Sequence, residues 1–222
     1  SLIEAEKDFS SVGGLDQAGM GTGGNHFASM DVLNAADIDV IIDFSSPKGL
    51  RSGLRWACKH GVPFVSGTTG LGGKEKTLIK SAAKKIPILW APNMSLGLNV
   101  LLEIMSALSP LEHFDFQIEE FHHKKKIDKP SGTAKALQER LEKTVGRKLP
   151  EALSIRGGGI FGIHNIYVMG EEETLTLQHN ALNRKVFARG ALSAAKLIMN
   201  KKCGLYGMSD ILEMSSKRAR AK

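Results

Sequence analysis

His122, His123 and Lys126 place two imidazoles and an ammonium within five residues, where an alternating run ends and a charged loop begins. Such a cluster is cationic and can move protons near neutral pH. Four residues on, Pro130-Ser131-Gly132-Thr133 reads as a helix start. Ser131 or Thr133 can cap it, and Gly132 lets a ligand approach the backbone. The N–H groups and positive dipole end of a helix start attract anions. Together the segment describes a carboxylate pocket with a proton donor beside it. Taken singly, each part has a plainer reading: a His-His pair as surface or core decoration, a Lys run as a solvated face, Ser-Gly-Thr as ordinary capping.

The elements that must hold this segment follow from hydropathy. Upstream, Asp39–Phe44, Val62–Val65 and Ile86–Trp90 are short apolar runs, each ending in a polar loop. Between them, Gly49–His60 and Gly73–Lys85 read as helices, the first stopped by Gly61. That alternation predicts a parallel, doubly wound α/β sheet, with ligands beyond the carboxyl ends of its strands. Leu96–Leu108 is apolar at helical spacing and links to a unit of different character. There His113–Phe121 alternates as a strand with Phe114, Phe116 and Ile118 on one face, and Ser131–Val145 reads as a helix. Gly162–Met169 and Glu173–His179 read as antiparallel strands joined by Gly170-Glu171-Glu172, and Ala188–Met199 as a last apolar helix. The fold class expected is α/β, with a second, α+β unit.

Composition narrows the function. The chain has 222 residues, 42% hydrophobic and 24% charged, which suits a globular protein with a sizeable core. No run of about 18 apolar residues predicts a membrane span, and no secretory leader is visible. The cysteines, Cys58 and Cys203, have no metal or redox spacing, which predicts a reduced, cytoplasmic setting and no metal. The net charge of +7 favours anionic partners, but part of the excess lies in the tail Lys217–Lys222, read as solvated. Basic and aromatic residues are not interleaved, so nucleic acid is not the expected partner.

The string Glu-x-x-His-His-x-x-Lys-x-Asp-x-Pro-Ser-Gly-Thr-Ala, from Glu119 to Ala134, resembles the signature of the 4-hydroxy-tetrahydrodipicolinate reductase (dihydrodipicolinate reductase) family. The resemblance extends to Ile42–Pro47, Gly67–Gly70, Ala91–Gly97, His179–Arg184, Phe187–Ala191 and Gly204–Leu212. It implies reduction of a cyclic imine dicarboxylate by NADH or NADPH, in lysine and diaminopimelate synthesis. It also implies a Rossmann-like nucleotide domain over 1–95 and 184–222, and a substrate-binding, tetramerising domain over 96–183. Carried over by position, His122 matches the proton donor and Lys126 the second acid–base residue. His123, Ser131, Gly132 and Thr133 match the substrate-carboxylate contacts. Gly67, Thr68 and Thr69 match the nicotinamide-ribose loop, and Ala91, Pro92, Asn93 and Met94 the carboxamide loop. Glu6 matches the acid on the adenosine ribose, Lys7 the base that meets a 2′-phosphate, and Arg184 a further cofactor contact. The partners implied are a small dicarboxylate and three further copies of the chain.

A dinucleotide-binding domain should open with a strand and a glycine-rich turn. The chain has one literal G-x-G-x-x-G, Gly19–Gly24, but Ser10–Ala18 before it is no apolar strand, so it is rejected as the pyrophosphate site. The segment Leu2–Lys7 instead resembles the end of a second strand. One strand, a phosphate loop and a helix are therefore expected to be missing, leaving a sheet with two inner edges. Either the chain is incomplete or it is a shortened homologue; intact mass would separate the two. The alternative function is a non-catalytic ligand-binding homologue without a phosphate loop, which cofactor fluorescence titration would reveal.

Overall fold

The computed structural model describes residues 2–15 and 26–213. The Gly19–Gly24 motif and the basic tail lie outside the described residues. The chain divides into two compact units, 1–94 with 187–222, and 95–186.

The first unit begins with turns, not a strand: Ala5 N–H donates to Leu2 O and Glu6 N–H to Ile3 O. The expected strand end at Leu2–Lys7 is thus corrected. Two-residue strands β1 (Gly14–Leu15) and β2 (His26–Phe27) pair in parallel. Then follow β3 (Ile41–Asp43), α1 (Pro47–His60), β4 (Phe64–Ser66), α2 (Gly73–Ala82) and β5 (Pro87–Trp90). Helix α1 starts two residues before the apolar pattern suggests. Ser46 Oγ accepts from Gly49 N–H, Pro47 sits where no N–H is needed, and Gly61 ends the helix at φ 74°. Leu50, Leu54 and Ala57 of α1 pack with Ile79 and Ala82 of α2 and with Phe64 and Ile88 of the sheet.

The second unit contains α3 (Leu96–Ile104), a 3-10 turn through Met105–Leu111, β6 (Asp115–His122), α4 (Gly132–Val145), β7 (Leu153–Arg156), β8 (Gly162–Met169) and β9 (Thr174–Ala181). The strand order is β7-β6-β8-β9, parallel between β7 and β6 and antiparallel elsewhere. The inner face buries Phe116, Ile118, Ile166 and Val168 against Leu98, Leu101, Leu137 and Leu141. Phe114 falls one residue before β6, whose core-facing positions are 116, 118, 120 and 122.

The chain then returns to the first unit through α5 (Lys185–Ile198) and β10 (Gly204–Tyr206). The order β10-β5-β4-β3 makes one continuous parallel ladder. The expected pair of inner edges is therefore corrected: β3, β4, β5 and β10 are immediate neighbours, with β3 and β10 at the rims.

Candidate active site

Strand alternation puts Glu120 and His122 on the same side as Phe116 and Ile118, with Glu120 0% and His122 7% exposed. An uncompensated carboxylate there would cost several kcal/mol. Glu120 Oε2 is instead paired with His122 Nδ1 and accepts from Arg156 Nη1 at 2.8 Å. Its Oε1 accepts from Arg156 Nη2 at 2.7 Å and from Ser131 N–H at 3.1 Å. Arg156 ends β7 opposite His122. Burial pushes the Glu120 carboxyl up, but hydrogen bonds from Arg156 and His122 outweigh it and bring the group down to about 2. Burial pushes the His122 imidazole below its ordinary value; Glu120 opposes, while the Lys126 and Arg156 charges add to the fall. With Nδ1 committed to Glu120, Nε2 is the ring nitrogen left for chemistry.

The loop after β6 carries Lys126. Its N–H donates to His123 O, and its Nζ pairs with Asp128 Oδ1 at 2.9 Å. Arg156 ties the loop down: Nε donates to Lys126 O at 3.3 Å and Nη2 to Asp128 O at 2.6 Å. His123 is half-buried, and its buried Nδ1 finds no hydrogen-bond partner among the described residues. Ser131, not Thr133, caps α4: Ser131 Oγ accepts from Ala134 N–H at 3.1 Å. Gly132 is exposed, and a Cβ there would meet nothing within 4 Å, so space for a ligand lies beside the helix start.

Two further histidines, unmarked in the sequence, stand behind this site. His164 faces Glu120 across β8, and His179 faces His164 across β9. The His122 and His164 rings meet edge-on with centroids 5.3 Å apart. His164 Nε2 lies 3.4 Å from Ser131 Oγ, and His179 Nε2 lies 3.1 Å from Ser95 Oγ, the cap of α3. Burial first, then the charges of His122 and His179, push His164 down to about 3. Burial also lowers His179.

In the first unit, Gly67, Thr68 and Thr69 follow β4, and Ala91, Pro92, Asn93 and Met94 follow β5. Both loops leave the carboxyl ends of adjacent parallel strands. A residue the sequence reading passed over, Asp43 at the end of β3, holds the first of them. It accepts from Ser45 Oγ, from Ser66 Oγ at 2.8 Å and from Thr68 Oγ1 at 2.7 Å. Thr68 therefore spends its hydroxyl inward, while Thr69 and Pro92 are exposed. Ala91 N–H donates to Ser66 O and Trp90 Nε1 to Thr68 O, fastening the two loops together. Helix α5 reaches the second loop at Gly190, where a Cβ would stand 1.7 Å from Met94 O.

Three further residues were expected to meet the cofactor. Glu6 and Lys7 lie in the opening turns, and Glu6 pairs with Lys196 of α5 at 3.5 Å. Arg184 lies in an exposed turn of the second unit. No group of three or more His, Cys, Asp or Glu among the described residues could hold a metal ion, and none of the described helices is long and apolar enough to cross a membrane.

Comparison with known proteins shows the family of the chain. The model of "Dihydrodipicolinate reductase, N-terminus" matches residues 1–94, and that of "Dihydrodipicolinate reductase, C-terminus" matches residues 97–212. The 4-hydroxy-tetrahydrodipicolinate reductase of Bdellovibrio bacteriovorus is 54% identical over 188 residues, 85% of this chain and 82% of that protein. That of Pseudoalteromonas translucida is 40% identical over 205 residues, 83% of this chain and 77% of that protein. Among solved structures, the dipicolinate-bound dihydrodipicolinate reductase from Paenisporosarcina sp. TG-14 shares the fold, with a TM-score of 0.76 at 20% identity. It covers 92% of this chain and 90% of that chain.

Proposed function

The chain belongs to the dihydrodipicolinate reductase family, and from that premise we propose how its residues divide the work. It is an NAD(P)H-dependent oxidoreductase of lysine and diaminopimelate biosynthesis, reducing 4-hydroxy-tetrahydrodipicolinate to tetrahydrodipicolinate. The nicotinamide cofactor, when bound, supplies the hydride. Gly67, Thr68 and Thr69 would hold its ribose and Ala91 to Met94 its carboxamide. The support is that both loops leave neighbouring parallel strands and are locked by Asp43 and by each other.

The second unit takes the substrate. A dianion is held by cations and by the positive end of a helix. His123 and Lys126 would supply the cations, and the Ser131-Gly132-Thr133 helix start its positive end. His122 gives a proton from Nε2, and Lys126 is the second acid–base residue. The observation that carries this reading is the buried Glu120–His122 pair at the strand end, beside an open helix start. Burial and two nearby cations keep the proton affinity of His122 low, so arriving carboxylates would raise it and load the acid as substrate binds. NADH or NADPH absorbance should fall only when the dicarboxylate substrate is supplied; cofactor binding with no turnover on that substrate would overturn the reading.

The family plan is a cytoplasmic homotetramer joined through the second unit's sheet. Supporting it, the sheet's outer face exposes Leu153, Ile155 and Met169, with Leu153 55% exposed. Apolar side chains on a sheet face call for a covering layer.

A further inference from the structure

Glu120 stands at a core-facing position where the strand pattern calls for an apolar residue, yet it is ionised and fully buried. Its partners account for that. The donors around its carboxylate include His122 Nδ1, two Arg156 nitrogens and the Ser131 N–H. The remaining Arg156 donors go to Lys126 O, Asp128 O and Ile155 O. Through one buried ion pair, the network joins the proton-bearing ring, the Lys126 loop and the capped start of α4. A bidentate Arg–carboxylate pair fixes direction as well as distance. Glu120 has no exposed surface and Arg156 has little, with 7% of its side chain exposed.

We propose that Glu120 and Arg156 are positioning residues of the reduction. Glu120 fixes the tautomer and direction of the His122 ring, and Arg156 sets the loop that presents Lys126. Neither need touch the substrate. The Glu120 carboxylate can only accept, so His122 must carry hydrogen on Nδ1 and present Nε2. Arg156 balances the carboxylate, so Glu120 orients the ring without holding it permanently as imidazolium. An alternative tenant of position 120, a shape-matched apolar residue, would stabilise the sheet as well or better. The buried charge is therefore explained by what it orients rather than by stability. The titratable and charged groups facing His122 are Glu120 on its own strand, Lys126 in the loop, Arg156 on β7 and His164 on β8.

The inference rests on the assigned role of His122, and the test keeps the two apart. Full-length protein carrying Glu120→Gln, Glu120→Asp, Arg156→Lys or His122→Gln is assayed for kcat, KM and the pH profile of kcat/KM. The His122 ring nitrogens are read by 15N NMR, and folded fraction by circular dichroism. For Glu120→Gln we expect kcat to fall about 10²-fold or more, the scale of a positioned general acid. The alkaline limb of the profile should move to lower pH, because the carboxylate that favours the protonated ring is gone. The Nδ1–H tautomer should lose its dominance, and Glu120→Asp should restore part of each. Arg156→Lys should raise KM for the dicarboxylate about tenfold, the loss of one charge-assisted bond. It also supplies the readout if Glu120→Gln does not fold. Wild-type profile and tautomer in folded Glu120→Gln would overturn the positioning role, as would activity lost only in proportion to folded fraction. In the Arg156→Lys protein, unchanged KM would do the same. Wild-type turnover in His122→Gln would instead overturn the reading of His122 itself.

Discussion

At the scale of single residues, the site turns on which atoms are already spent. His122 spends Nδ1 on Glu120, Ser131 spends its hydroxyl on the α4 cap, and Thr68 spends its hydroxyl on Asp43. His122 Nε2 and the His123 ring are left on the proposed substrate side, with Lys126 shared with Asp128. Lys126→Ala should therefore lower kcat by about 10²-fold or more. The unfolding midpoint should scarcely move, because the salt bridge lost is a partly exposed one. Steady-state kinetics beside thermal melts check this, and wild-type kcat would remove Lys126 from the acid–base role. The signature is legible as a string, but not which of its two leading acids meets His122. Glu119 looks outward, accepting from Tyr167 Oη at 2.8 Å and from Asn165 Nδ2 at 3.2 Å. Glu120 is the one beside His122. The clue was present: continuing the period of Phe116 and Ile118 puts residue 120 in the core, and a carboxylate there requires a partner.

At the scale of elements, the proposed contacts depend on the start of α4 and on the packing of α5 against the 91–94 loop. Ser131→Ala removes the α4 cap and one neighbour of His164, so it should cost about 1 kcal/mol of stability. It should also raise KM for the dicarboxylate more than it lowers kcat. A denaturation midpoint equal to wild type would show that another group caps α4. Gly190→Ala is a harsher change. A methyl 1.7 Å from Met94 O cannot be accommodated by a rotamer shift, because the obstacle is backbone. Helix α5 or the 91–94 loop must move, and affinity for the nicotinamide cofactor, read by fluorescence titration, should fall at least tenfold. Unaltered cofactor affinity in the folded variant would separate that loop from the cofactor. Helix α1, helix α4 and the hairpin of β8 and β9 could be seen in the sequence, because their caps, turns and periodicity are local. Strands β7 and β10 could not. They span four and three residues, and β7 alternates exposed and half-buried positions. Such pieces become strands only when β6 and β5 offer them a ladder.

At the scale of the whole molecule, the second unit buries several titratable groups whose linkage runs in one direction. His164 falls from an ordinary 6.5 to about 3, so the unfolded chain binds its proton more tightly. That contribution to stability is whole above pH 6.5 and is lost as pH falls toward 3. Glu120 falls from 4.5 to about 2, so its contribution is whole above 4.5 and is lost toward 2. Stability should therefore fall by several kcal/mol between pH 7 and pH 4.5, mostly through histidine, and more steeply below. Urea titrations across that range check it, and His164→Gln should flatten the upper part of the slope; a level profile would contradict the burial of a neutral His164. Light scattering should return about four times the chain mass, and a monomer would contradict assembly through the exposed sheet face.

The sequence by itself determined the alternation of strand and helix in the first unit, the α+β character of the second, and the charged motif from His122 to Thr133. Those depend on interactions between residues close in the chain: caps, turns, hydropathy periods and a long motif. Tertiary structure alone decided which strands are neighbours, so that β3, β4, β5 and β10 form one unbroken ladder. It also decided that Leu2–Lys7 turns back on itself, and that Glu120 meets an arginine 36 residues away. A buried charge gains its partner only where two strands cross the same core. That pairing is set by sheet register, which no local pattern records.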